Sequence, residues 1–244
     1  MKKILSKFTI SCFLIALISL LYACGDNIFS NSETADPAED AAIELENGNP
    51  SAAIKILNVA LEKDSTNVIY TSLLSLAYAQ RAGVEPLLFA QNFAEQTADS
   101  DTENSNMFTL MFKVLPDPTV QNLADIKKSL ELLNGIAADD RLPGDDFKLA
   151  MFNTASAILT LKQFDSNLDG VISVGELTNF NDTTAAALLA QIDAAESLLS
   201  GDDSSKDGAA AASSFSTFKT ELAKQEGDTD EEKLTNFLSS TNSQ

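Results

Sequence analysis

The chain has 244 residues, enough to bury one sizeable core or two smaller ones, and a formal net charge of −20 from 16 basic and 36 acidic residues. So negative a surface repels nucleic acid and anionic headgroups, and the absence of His removes the commonest general base and transition-metal ligand together. Trp is absent too, aromatics are sparse, and the Ala-, Leu- and Ser-rich middle favours helices over strands.

The first 23 residues hold Lys2, Lys3 and Lys7 and no acid, and Phe8 to Leu21 is an almost unbroken apolar run. That run is too short to span a bilayer comfortably, and its order of charge, apolar core and small residue is that of a secretory signal. It closes on Leu21-Tyr22-Ala23-Cys24. This ending resembles the lipobox of bacterial lipoproteins: an aliphatic residue, a small residue just before the cut, then Cys. The resemblance implies that residues 1–23 are a signal peptide, and that Cys24 becomes the N-terminus and carries a diacylglycerol. Acyl chains hold a protein to a bilayer by about 0.8 kcal/mol per buried CH2. The other reading is an ordinary signal with Cys24 left as a free thiol. Cys12 lies inside the discarded run, so one mature chain cannot form a disulfide. Gly25 after the Cys, in place of Asp, does not resemble the inner-membrane retention signal. The cell envelope, and within it the outer membrane, is the expected location, with periplasmic and surface leaflets both open.

Residues 24–35 are polar and Asn/Ser-rich, a tether between membrane and body. At Asp36-Pro37 the pattern turns helical, with an N-cap and Pro at the first position, and Asn49-Pro50 repeats the device after Gly48. Ala53, Ile54, Leu57, Ala60 and Leu61 recur at the spacing of one helix face. Residues 36–101 resemble the tetratricopeptide repeat (TPR) family, whose helix pairs stack with a 34-residue period. Gly48, Ala53-Ile54, Ala60-Leu61 and Asp64 fit the second helix of one unit; Leu74, Ser75, Ala77 and Tyr78 fit the first helix of the next. Asp40 and Glu44 stand where the first unit should be apolar, Ser65 replaces the usual Pro, and Glu85-Pro86 interrupt the second unit. The resemblance implies helical hairpins offering a groove to a peptide or protein partner.

A polar break over 97–106 precedes a short apolar helix, Met107 to Leu115, stopped by Pro116-Asp117-Pro118. Thr119 to Asn134 reads as a helix closed by Gly135, with Leu123, Ile126, Leu130 and Leu133 inward. Pro143-Gly144 makes a turn, and a long helix follows from Phe147 to about Phe164, with Phe147, Met151, Ala155, Ile158 and Leu161 on one face. Asn181 or Asp182 caps a helix to about Leu199, and further helices are expected over about 209–224 and 230–238 before the polar tail 241–244. The expected class is all-α: TPR-like hairpins followed by a helical domain over 102–240.

Within that domain, Asp165, Asn167 and Asp169 present oxygens at alternate positions, and Gly170 permits a left-handed turn. Val171 offers a carbonyl, Ser173 a hydroxyl (direct or through water), and Glu176 two carboxylate oxygens. A hard cation that wants six to eight oxygens finds them at this spacing, and Ile172 is left to face the core. The segment Asp165–Glu176 resembles the calcium-binding loop of the EF-hand, which makes Ca2+ the expected ligand of Asp165, Asn167, Asp169, Val171, Ser173 and Glu176. The exit helix is short, since a new capping region begins at Asn179. A segment starting Asp203-Ser-Ser205-Lys-Asp207-Gly208 begins like a second loop, but Ser214 stands where its closing Glu should be. It reads as a linker or as a degenerate partner.

Ser216-Thr-Phe-Lys219 matches a Ser-x-x-Lys pair, but Lys219-Thr220 is followed by Glu221 rather than the Gly that chemistry needs, and no sheet is expected beside it. Without His, no Ser-His-Asp or Cys-His arrangement exists. Acidic pairs such as Asp139-Asp140 and Asp145-Asp146 fall at turns and helix starts, where negative charge offsets the dipole. The expected protein is a non-enzymatic, calcium-binding, lipid-anchored scaffold or protein-binding module. A calcium-regulated accessory subunit of an envelope enzyme or transporter, and a purely structural lipoprotein, stand as alternatives.

Overall fold

The computed structural model describes residues 36–85, 112, 114–170, 172–200 and 206–241, with backbone alone over 206–211, 214 and 239–241. Eight α-helices are found among them: α1 Pro37–Glu46, α2 Pro50–Lys63, α3 Val68–Arg81, α4 Val120–Asn134, α5 Asp145–Lys162, α6 Asp182–Leu199, α7 Lys206–Ala223 and α8 Asp230–Thr241. Short 3-10 turns occur at Ala138–Asp140 and Val174–Asn179, and no strand occurs among the described residues. The class is all-α, as expected.

Local chemistry sets most helix boundaries. Pro37 and Pro50 open α1 and α2, where a missing N–H costs nothing. Asn49 caps α2 with its carbonyl alone, which accepts from Ala52 and Ala53, and its side chain makes no capping bond. Gly48 takes φ +72°, a conformation that lets the chain reverse between α1 and α2. Asn67 and Asn181 cap α3 and α6 by accepting from the N–H groups of Tyr70 and Thr184. Thr119 and Asn122 form a reciprocal capping box at the start of α4.

Short turns fold α1, α2 and α3 back on one another as hairpins around Ala41, Leu45, Ala53, Ile54, Leu57, Leu74 and Ala77. The opposite side of α3 packs on α4, α4 on α5, α5 on α6, and α6 on α7 and α8. Leu76 of α3 touches both hydrophobic clusters, and Leu132 of α4 reaches the first. From Pro37 onward the chain clusters as one compact unit.

Three elements differ from the sequence pattern. The fifth helix starts at Asp145 rather than Phe147 and is buried almost all round, from Leu149 to Leu159, so no single stripe describes it. The seventh starts at Lys206 rather than about 209 and takes in Asp207 and Gly208, so those two residues are helical rather than part of a linker or loop. Of the helix expected over 107–115, Phe112 and Val114 are described as helical and Leu115 as a buried bend just past them; residues 107–111 and 113, with residues 86–101 of the TPR-like stretch, lie outside the described residues.

Between α3, α4 and α5 runs a buried polar seam. Arg81 grips Asp125 with two N–H bonds, at 2.8 and 2.7 Å, and Gln121 adds a third at 2.9 Å. Ser75 donates to the Ser129 carbonyl at 2.8 Å. Asp145, which the sequence places at a helix start as a dipole partner, is 0% exposed and meets Ser72, Lys148 and the Leu142 N–H. Burial alone would raise its pKa; the hydrogen bonds from Lys148, Ser72 and Leu142 outweigh burial and hold it below the ordinary carboxylate value.

Candidate metal centre

The loop begins where α5 runs out. The N–H groups of Gln163, Phe164 and Asp165 donate to the carbonyls of Thr160, Leu161 and Lys162, a tightening of the last turn that delivers Asp165 at the helix end. Asp165 is buried, its Oδ1 accepting from the Asp169 N–H at 3.2 Å and its Oδ2 from the Gly170 N–H at 2.9 Å. Asn167 Oδ1 also accepts from the Asp169 N–H, at 2.9 Å. These bonds curl residues 165–170 round the first carboxylate. Gly170 sits at φ +80° with nothing within 4 Å of where a Cβ would stand, so the backbone angle alone calls for glycine.

Leu168 has φ +57°, the one described non-Gly residue with positive φ, and is 60% exposed. A branched apolar side chain in that conformation is strained, and nothing buried repays it.

Glu176 closes the loop from the far end. Its Oε1 accepts from the N–H and hydroxyl of Ser166, at 2.9 and 3.0 Å, and from the Asn167 N–H at 3.3 Å. Its Oε2 accepts from the N–H and hydroxyl of Ser173, at 2.9 and 2.8 Å. The Ser173 N–H, then the Ser173 hydroxyl, with Ser166 and Asn167 adding to them, lower its pKa to about 2, so it is ionised at any neutral pH. Glu176 thus ties both ends of the loop together. Ser166 was not singled out by the sequence pattern, because its position in the loop is not a ligand position.

Under the loop lies an apolar base. Ile172, Leu177 and Phe180 are buried, and Phe164 meets Phe180 edge to face at 5.3 Å and 86°. The exit is a 3-10 turn, Val174–Asn179, before Asn181 starts α6.

Of the expected ligands, Asp165, Asn167, Asp169, Ser173 and Glu176 fall on this one loop, while Val171 lies outside the described residues, as does Cys24. Among the described residues no three His, Cys, Asp or Glu side chains are gathered into a set that could hold an ion on their own. The donor set is oxygen throughout, carboxylate, amide and hydroxyl, which fits a hard divalent cation and not a soft one. No described Lys or Arg pairs with Asp165 or Glu176.

The Ser216/Lys219 pair behaves as a helix surface. Phe215 and Phe218 are buried, and Lys219 reaches Asp193 at 2.6 Å and Glu196 at 2.9 Å on α6. No described helix is long and apolar enough to cross a membrane. No protein-family model, curated protein or solved structure matches the chain. The likenesses to EF-hand loops, TPR hairpins and lipoproteins therefore rest on the residues themselves.

Proposed function

We propose that this chain is a calcium-binding protein of the cell envelope, lipid-anchored through Cys24, that acts as a non-enzymatic scaffold or protein-binding module. The observation that carries the reading is the 165–176 loop. It is an all-oxygen donor set curled on Asp165 and Gly170, closed by Glu176, with no described basic side chain on either of those carboxylates. Bound there, calcium would supply two positive charges to Asp165, Asp169 and Glu176, with Asn167, Ser173 and the Val171 carbonyl completing the sphere. A single loop of this kind suits the range of about 10⁻⁴ to 10⁻³ M at which extracellular calcium modules work. The hairpins α1–α3 are the surface assigned to a partner, by their likeness to TPR units. No His-based site is available for catalysis.

The test is a melt of the full-length chain in calcium, in magnesium and in chelator. Calcium at ten times its dissociation constant raises stability by about 1.4 kcal/mol, and magnesium, which prefers a smaller and stiffer octahedron, raises it less. Equal melting in calcium and chelator would remove the calcium assignment. The anchor is tested apart from it: Cys24→Ser should release the protein from membranes, and continued membrane fractionation would rule the anchor out.

A further inference from the structure

Lys162 is placed where the calcium loop meets the rest of the molecule. Its main-chain carbonyl accepts the N–H of Asp165, the first loop residue, at 3.2 Å. Its side chain turns the other way and is buried, 5% exposed. The ammonium donates to the carbonyls of Phe112 and Leu115, at 3.0 and 2.7 Å, and stands 3.3 Å from the Asp117 carboxylate. A buried ammonium is tolerated only while such acceptors surround it, so Lys162 and these two carbonyls are held as one unit.

The next residue, Pro116, lies against Gly83 so closely that a Cβ on that glycine would fall 2.6 Å from the ring. Gly83 takes φ +83° and, with Val84, closes α3: their N–H groups donate to Gln80 and Ala79. Asp165, Lys162, Leu115, Pro116 and Gly83 therefore form one unbroken line of contacts. It runs from the first calcium ligand to the end of the last described hairpin helix.

We infer that Lys162 is a positioning residue that couples calcium at the loop to the closure of α3 at Gly83 and Val84. The inference rests on the calcium reading above. A cation that fixes Asp165 also fixes the last turn of α5. The Lys162 side chain carries that restraint to Phe112, Leu115 and Asp117, and Pro116 carries it to the turn at the end of α3. Coupling is reciprocal, so whatever factor calcium adds to closure at Gly83, the intact Lys162 contact adds to calcium affinity.

The experiment is amide hydrogen exchange by NMR on the full-length chain, with and without calcium chloride. Calcium should slow exchange at Gly83 and Val84 about fivefold or more, the low end of measured site-to-site couplings. In Lys162→Met, which keeps the apolar stem, calcium should still protect the loop amides Ser166, Asp169 and Gly170. The effect at Gly83 and Val84 should vanish, and calcium affinity should fall by the same factor. Calcium that protects the loop while leaving Gly83 and Val84 unchanged in the parent protein would overturn the coupling and leave calcium binding intact. Calcium that changes neither would overturn both. Calcium protection of Gly83 and Val84 that persists in Lys162→Met, or that in the parent is no larger than at amides remote from the loop such as Ala41 and Leu45, would overturn the role of Lys162.

Discussion

Two polar regions of this protein carry carboxylates held by several hydrogen bonds, the seam between α3, α4 and α5 and the loop from Asp165 to Glu176, and they satisfy them in opposite ways. In the seam each acid has a cation of its own: Asp125 has Arg81, and Asp145 has Lys148. Charge is neutralised inside the fold, nothing is left to recruit, and the seam fixes how the hairpins sit on the rest. In the loop, Asp165 and Glu176 receive only N–H and O–H donors. Those bonds orient the oxygens but leave the negative charge in place. What separates the two regions is the described basic partner that Asp125 and Asp145 have and that Asp165 and Glu176 do not, and the calcium proposal is built on that difference.

The largest expected effect is in the seam. Asp145→Ala takes away the acceptor of the Ser72 O–H and of the Leu142 N–H and leaves Lys148 without its counter-charge, with only the Ser72 oxygen to donate to, a loss of about 3 kcal/mol in denaturant unfolding. A loss within experimental error would mean that the seam is not the internal clamp described. Its pH dependence follows from the lowered Asp145 pKa. The stability it contributes is fully present above the unfolded carboxyl value of about 4, and is lost as pH falls through that value toward the folded one. Unfolding midpoints taken from pH 6 down to 3 should therefore drop more steeply in the parent than in Asp145→Ala.

Smaller effects are expected in the loop, and there two changes should have opposite signs. Gly170→Ala meets no steric contact, so its cost of about 1 kcal/mol comes from φ +80° alone. Leu168→Gly removes the strain at φ +57° from an exposed side chain and should stabilise the loop by roughly 0.5 kcal/mol after the entropy of glycine is counted. If both substitutions destabilise, the left-handed geometry at 168 is not the source of strain.

The same contrast explains how much of the molecule was legible in its sequence. The loop lies within twelve residues, so spacing alone placed Asp165, Asn167, Asp169 and Gly170 on one curl. Helix starts at Pro37, Pro50, Thr119 and Asn181 were equally local, set by caps and by proline. The seam was not legible. Ser72 meets Lys148 across 76 residues and Arg81 meets Asp125 across 44, and no local pattern encodes such partners. Asp145 looked like a helix-start charge because its burial depends on three helices at once. The Phe164–Phe180 pair and the role of Ser166 were hidden for a related reason, since each depends on how the loop's two ends meet.

The central claim is that the loop from Asp165 to Glu176, through the oriented carboxylates at its two ends, binds calcium. Isothermal calorimetry on the full-length chain, titrated with calcium chloride beside Glu176→Gln, tests it most directly. The account predicts one site in the parent, with a dissociation constant of about 10⁻⁴ to 10⁻³ M, and none in the variant over the same range. Equal binding by both proteins, or no heat from either, would contradict it.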